Sequence, residues 1–352
     1  MLKHKQIGLI SFLSLLALGL FAMSGQSQPP AAARASGLGL QRHAGSHARP
    51  SRQNLKSKRQ QQPEAVSLTF GLIDFPRSTA SNAFGLNSKG DIVGGYGPIP
   101  PWPAAYWETT GYWLKGNTYR TLAYPGAAYS APYSINDKRV IVGFYDMVGD
   151  QNFRGYQYKG GEFTNIDYPG ATVTGPVAIN NAGEITGLYF DSSNEQHGFT
   201  LKNGVYATLD VPNLYVTEPY DINSKGDIVG SCYDLNDIEH GFVYQNGQFA
   251  IVDYPGATNT EVTGINDAGQ MIGVYGDGVM VAGNYYQVSN LFLFDHGTFT
   301  PLTLPVETQA ILSYSMKGDE FVGFYVDSTN NLYGFEAQIA DGSVSQISRN
   351  QQ

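Results

Sequence analysis

The sequence predicts an all-β fold: a six-bladed β-propeller of four-stranded antiparallel blades, closed by an N-terminal strand. Three observations predict it. Six prolines, Pro76, Pro125, Pro169, Pro212, Pro255 and Pro305, each stand eleven residues ahead of a matching site, Asn87, Asn136, Asn180, Asn223, Asn266 and Met316. The glycines that close one strand of each copy, Gly94, Gly143, Gly187, Gly230, Gly273 and Gly323, are 49, 44, 43, 43 and 50 residues apart, which is a 43-residue unit built six times. Aromatic residues make up 13% of the chain, glycine is frequent, and no apolar pattern of helical period is sustained. An open β-solenoid of the same repeats is the alternative architecture.

Taken in order, the chain opens on a segment that reads as a signal peptide, residues 1–25. Lys3, His4 and Lys5 form a short positive region, an apolar stretch runs from Ile7 to Met23, and Ala22 and Ser24 suit cleavage. An uncleaved N-terminal anchor is the alternative, although the stretch is short for a span. Residues 26–65 are rich in Gln, Ala, Ser, Pro, Arg and Lys, and read as a disordered basic linker. Its charge suits a solvated tether, or contact with an anionic surface or polysaccharide. Residues 66–340 carry the repeats, and 341–352 form a polar tail.

Copy three shows the unit plainly. Phe163–Tyr168 is an outer strand stopped by Pro169. Pro176–Asn180 is a second strand, and the turn Asn181-Ala182-Gly183 leads into Glu184–Tyr189, a third. Gly198–Leu201 is a fourth, closed by a turn at Asn203-Gly204, where both residues tolerate positive φ. Copy two has Arg139 where the turn glycine stands elsewhere, and copy six has Met316 and Asp319 where the others have Asn and mostly Gly, as a terminal unit tends to. Val66–Phe75 is an outer strand with no strands of its own before it, so it is placed to complete the last blade and remove both open edges. The segment Ser343–Ile347 competes for that place.

Charge excludes some functions. Beyond residue 65 there are 12 basic and 29 acidic groups, net −17. So acidic a domain repels a polyphosphate, which disfavours nucleic acid. The single cysteine, Cys232, excludes an internal disulfide framework. Nothing after the signal segment approaches membrane-spanning length, so a secreted monomer without a transmembrane domain is expected.

The motif Asn223 to Tyr233, then His240-Gly241-Phe242, then Phe249 to Ala257, resembles the HAF family of extracellular repeats, and the likeness covers residues 66–337. The resemblance implies secretion from a bacterium and a propeller-like fold. It implies no activity, because that family is named for its repeats.

No catalytic set stands out. Only His197 and His240 occupy the His-Gly-Phe position, where a polar side chain at a strand start is expected to bond a carbonyl or an Asp. His296 falls in a turn, so neither a Ser-His-Asp triad nor a zinc site is supported. Asp146, Asp191, Asp234, Asp277 and Asp327 recur in one loop, with Asp150, Glu195, Asp237 and Glu239 beside them. Such oxygen-rich loops suit Ca²⁺, but they match no EF-hand, and turn-forming Asp is the stronger reading. Asp74, Asp167, Asp210 and Asp253, ahead of the prolines, are expected to brace the proline turns. No pair of carboxylates stands apart from its repeat equivalents, as acid–base hydrolysis would need.

The places that break the repeat are the functional candidates. All the excess length falls in one loop position, in copies one and five. Residues 97–111 hold Trp102, Tyr106 and Trp107, with Trp113 just beyond, and residues 276–290 hold Tyr285 and Tyr286. The two loops share the face of the proline turns, flanking copy six. Exposed aromatics stack on sugar rings or anchor a protein partner, and the prolines of the first loop stiffen it. The expected function is a non-enzymatic binding or scaffold module for an extracellular polysaccharide or surface protein. The alternatives are a propeller-type carbohydrate-active hydrolase or lyase using carboxylates, and a structural surface protein with no small ligand.

Overall fold

Four-stranded antiparallel sheets, each a simple meander, are arranged in a ring, which makes the protein a β-propeller. The computed structural model describes residues 66–97, 110–147, 153–276, 278–281, 284–287, 290–329 and 331–339. In copy three the strands are Glu162–Ile166, Val173–Ile179, Ile185–Phe190 and Gln196–Lys202, within a few residues of the expected bounds. The sheets of copies three and four stand alone. Those of copies one and two are joined by a parallel bridge at Thr110–Ser130, and those of copies five and six at Val66–Leu302 and Ser67–Thr303. The N-terminal strand Val66–Ile73 runs antiparallel to Leu332–Ile339, from Leu68 opposite Ile339 to Ile73 opposite Gly334. It therefore supplies the outer strand of the last sheet, and Gly334 packs against Asn82 and Ala83 of the first. The competing tail segment lies outside the described residues.

Burial follows the ring. The inner strand Val216–Ile222 is buried at every residue because sheets cover it on both faces, whereas the outer strand Thr118–Thr121 is largely exposed. Between sheets lie apolar layers, such as Val142, Ile166, Ile179, Ile185 and Phe199. Four of the copies add ring pairs that account for two sequence motifs. The aromatic residue ahead of the proline lies flat on the tyrosine at the end of the next glycine-rich strand: Phe75 on Tyr96, Tyr124 on Tyr145, Tyr168 on Tyr189 and Tyr254 on Tyr275, at 3.5–3.7 Å between centroids.

The repeated asparagine has a structural explanation. In copies one to five its Oδ1 accepts from the backbone N–H groups two and four residues on, at 2.9–3.0 Å, closing the turn. Its Nδ2 donates to the main-chain carbonyl of the following copy: Asn87 to Asn136, Asn136 to Asn180, Asn180 to Asn223, Asn223 to Asn266, and Asn266 to Gly318, at 2.9–3.2 Å. Its second Nδ2 proton goes to Asp91, Glu184, Asp227 or Gln270. A buried amide, with both donors and both acceptor sites used in copies one, three, four and five, forms a belt from copy to copy. In copy two, Arg139 takes the glycine-like conformation (φ 59°) and is held by an ion pair to Asp91 at 2.7 Å.

Copy six corrects the sequence alignment. Met316 pairs with Phe321 where Ile135 pairs with Ile141, so Lys317, not Met316, stands in the asparagine position. The turn there is shorter, with Lys317 opposite Glu320. A lysine cannot close the asparagine turn, and Lys317 instead reaches Asp221 of copy four at 3.3 Å. Asp221 also accepts from the backbone N–H groups of Ile222 and Ile265, at 2.9 and 3.2 Å.

The recurring strand glycine is demanded by a close approach. In every copy the inner strand carries a bulge, and a Cβ on Gly187 would lie 2.2 Å from the carbonyl oxygen of Gly175. The equivalent distance at Gly230, to Glu218, is 2.0 Å. Gly187→Ala is therefore expected to destabilise the fold by about 3 kcal/mol or more, through backbone displacement rather than lost contacts. Asn180→Ala, which orphans two turn N–H groups and a carbonyl of the next copy, should cost about 2–4 kcal/mol. Urea unfolding of the two variants measures both.

Candidate functional site

Two places on the ring axis depart from pure packing. The first is the mouth of the channel at the asparagine-turn end. Here a second, outer ring of turn residues is held in register. Ser88 N–H donates to Asp137 Oδ1 at 2.9 Å, Asn181 Nδ2 donates to Asp137 Oδ2 at 2.6 Å, and Asp137 N–H returns a bond to Asn181 Oδ1. Ser224 N–H donates to Asp267 Oδ1 at 2.8 Å. Burial acts to raise the Asp137 carboxyl, but the bonds from Ser88 and Asn181 and the nearby Lys89 charge outweigh it and hold the group below its ordinary range. A cavity of about 130 Å³ opens among Ser88, Asp137, Asn181, Ser224, Asp267 and Lys317. It is floored by the asparagine belt. Deeper in, Phe84, Tyr133, Val177, Tyr220 and Tyr314 close the axis around a void of only about 10 Å³. Phe84 lies flat on Tyr133 at 4.5 Å and meets Tyr314 edge-on at 5.1 Å.

The second place is a buried carboxyl cluster. Glu218 and Glu261 occupy the same position of adjacent inner strands, where the other copies have Asn82, Ala131, Gly175 and Leu312. Glu218 is fully buried; Gln196 Nε2 donates to its Oε1 at 2.7 Å and the Tyr220 hydroxyl to its Oε2 at 2.9 Å. Glu261 hydrogen-bonds Glu239, which starts the third strand of copy four. Burial pushes the Glu218 carboxyl up to about 7. Burial, then the Glu239 and Glu218 charges, pushes Glu261 well above the usual carboxylate range. A carboxyl pair of raised affinity for protons is the equipment of acid–base chemistry; here Glu218 is sealed inside the ring and Glu261 keeps some exposure. This pair contradicts the expectation that no carboxylates stand apart from their repeat equivalents. The available signal was Thr217-Glu218 and Thr260-Glu261, against Ser81-Asn82, Ser130-Ala131 and Thr174-Gly175.

The histidines are structural, as expected: His197 Nδ1 lies 2.8 Å from Asp210 Oδ2, and His240 Nδ1 2.9 Å from Asp253 Oδ2. Asp210 and Asp253 thus hold the start of the strands Gln196–Lys202 and Glu239–Gln245 rather than brace the proline turn. That bracing falls to a hydroxyl six residues on: Ser81, Ser130, Thr174, Thr217 and Thr260 each accept the N–H of the residue before the proline at 2.9–3.0 Å. Three of the loop aspartates are turn-formers, and Asp150 and Asp277 lie outside the described residues. Asp191, Asp234 and Asp327 each accept two backbone N–H groups at 2.8–3.0 Å. Ligand atoms of Asp191, Glu195 and His197 converge within 4.8 Å, and these are the residues with the reach to hold a cation among those described. The turn already accounts for Asp191.

Of the aromatic candidates, Trp102, Tyr106 and Trp107 lie outside the described residues. Tyr285 and Tyr286 sit on a two-stranded hairpin, Gly278–Val281 paired with Asn284–Gln287. Trp113 lies in the strand Thr110–Lys115, packed against the layer of Val93, Leu122, Ile135 and Ile141, with its indole N–H buried. Among the described residues, no helix is long and apolar enough to cross a membrane.

No family model matches the chain, and no curated protein matches it. Solved structures do resemble it. AofleA from Arthrobotrys oligospora superposes with a TM-score of 0.46 at 13% identity, over 76% of this chain and 86% of that one. The β-propeller domain of the Trilobed protease from Pyrococcus furiosus gives 0.43 at 11%, over 78% and 97%. The Aleuria aurantia lectin in complex with Fucalpha1-6GlcNAc gives 0.43 at 10%, over 76% and 97%. At these values the likeness concerns overall architecture and carries no argument about ligand.

The hydrogen-bonded Asp137 makes a signed prediction. A carboxyl held below its unfolded value stabilises the fold above about pH 4, and that contribution is lost as the pH falls through the folded-state value. Asp137→Asn is expected to cost up to about 1 kcal/mol at pH 6, because solvent screens a half-exposed group, and less at pH 3. Urea unfolding at the two pH values checks this.

Proposed function

We propose that the protein is a secreted six-bladed propeller that binds an extracellular carbohydrate, without catalysis, at the turn-face mouth of its channel. The observation that carries this is the open cavity of about 130 Å³ ringed by Ser88, Asp137, Asn181, Ser224, Asp267 and Lys317. Hydroxyl, carboxylate and amide groups surround it, with Lys317 beside them, its ammonium paired with Asp221. That mixture suits a ligand whose own hydroxyls both donate and accept, and the space suits a single sugar unit. The carboxyls with raised proton affinity do not line this cavity, and Glu218 is fully enclosed, which favours binding over hydrolysis. Six blades follow from reading each eight-stranded sheet as two meanders, since only one or two parallel bridges join them. Secretion rests on the Lys3–Met23 segment and on the resemblance to HAF repeats.

A second reading places the ligand on the opposite face, at Trp102, Tyr106, Trp107, Tyr285 and Tyr286. The backbone pairing of the copy-five loop into a hairpin supports it, because a paired ribbon costs less to order than an open loop. A hydrolytic reading rests on the Glu239–Glu261 pair and requires access to it.

Calorimetric titration with soluble polysaccharides and cell-wall fragments separates these readings. Saturable binding that weakens about tenfold in Asp267→Ala, as loss of a ligand hydrogen bond predicts, supports the turn-face site. Binding lost in Trp102→Ala or Trp107→Ala and kept in Asp267→Ala moves the site to the aromatic face. Release of shorter sugars would replace the binding role with catalysis.

A further inference from the structure

The buried glutamates have no part in the binding role above, and folding places them together at a cost. Glu218 of copy four is fully buried, Glu239 is 5% exposed, and Glu261, which keeps some exposure, reaches Glu239 from copy five. Gln196 of copy three joins them, 4% exposed, donating to Glu218 at 2.7 Å while its own carbonyl oxygen has no partner. The seam between three consecutive copies is therefore made of acids. The charges that act on Glu218 and Glu261 are those of the other carboxyls. The remaining titratable groups facing them are acids too: Tyr215, Tyr220, Tyr233 and Cys232 from copy four, and Tyr314 from copy six. Lys317, the cation at the axis, is committed to Asp221.

Three adjacent carboxyls, Glu218 and Glu239 buried and Glu261 partly exposed, cannot all ionise without compensation. Either a cation enters or protons stay. The ligand atoms that converge tightly enough for a metal, among the described residues, are those of Asp191, Glu195 and His197, not these. We propose that Glu218, Glu239 and Glu261 form a proton-binding site that latches copies three, four and five together in acid and loosens that seam as the pH rises through neutrality. The hydrogen bond between Glu239 and Glu261 needs a proton on one of the two, and it joins copy four to copy five beside the bond from the Glu239 N–H to Asn259.

The sign follows from linkage. A carboxyl whose folded-state value lies above its unfolded value of about 4.3 contributes stability that is fully present below that pH, and loses it as the pH rises through the folded value. For Glu218 that value is about 7, and Glu261 lies in the same direction. The turn aspartates Asp137, Asp191, Asp234 and Asp327 act oppositely, losing their contribution below about pH 4. The two sets together place maximum stability in mild acid.

Thermal unfolding of the full chain between pH 4.5 and 8.5 tests the latch, with Glu218→Gln and Glu261→Gln alongside. The expected result is a fall in wild-type Tm of roughly 5 °C or more from pH 5 to pH 8, at least halved in each variant. A wild-type Tm that is flat or rises over this range overturns the proposal, as does an unchanged slope in both variants. Infrared spectroscopy of the wild type covers the case in which neither variant folds. A protonated-carboxyl carbonyl band that persists at pH 7 and disappears toward pH 9 supports the site, and its absence at pH 7 overturns it.

Discussion

The asparagine that donates from one turn to the next copy's main chain is the interaction on which the ring depends. One buried amide does three things. It closes its own turn through two backbone N–H groups, fixes the acidic or amide side chain four residues on, and binds the following copy. Because the acceptor is a backbone carbonyl, the bond constrains where the next inner strand lies, whatever its side chains are. Five such links set the spacing of the inner strands, and the aromatic pairs and apolar layers fill the wedges that result. The strand glycine belongs to the same constraint, since the bulged inner strand brings a carbonyl within about 2 Å of where a Cβ would stand.

The belt is interrupted where the ring must close. Copy six has Lys317 in the asparagine position, and its ammonium crosses to Asp221 of copy four. Asp221 also receives the Ile265 N–H of copy five and contacts Ser315 and Met316 of copy six, so one carboxylate gathers three copies. A buried ion pair of this kind adds little net stability against its desolvation, but it is costly to break on one side. It fixes the arrangement of the last sheet, whose outer strand comes from the other end of the chain.

The axis is chemically lopsided as a result. On one side Phe84, Tyr133, Phe144 and Tyr314 make a stacked aromatic plug. On the other side Glu218, Glu239 and Glu261 occupy positions that other copies fill with small or neutral residues. A repeat fold tolerates this because each unit is held chiefly by its neighbours, so one seam can depart from the average while the others retain it.

The sequence by itself determined the repeat, the strands and the turns. Proline, glycine and asparagine act through local sterics and local hydrogen bonds, so Pro169, Gly183 and Asn180 announce a turn in any surroundings. Strand limits, N-terminal closure and the structural role of His197 and His240 were legible for the same reason. What a side chain bonds to in the next copy was not. Asn180 meets a carbonyl 43 residues away, and nothing in the side-chain pattern marks that oxygen. Copy six misled the alignment because a shortened turn exchanges Met316 for Lys317 while Gly323 keeps its place, and only strand pairing reveals the shift. The glutamates looked like surface acids in a very acidic chain. Tertiary structure alone decided that Glu218 and Glu239 are buried beside Glu261, because burial and mutual distance belong to the packed ring and not to any one repeat.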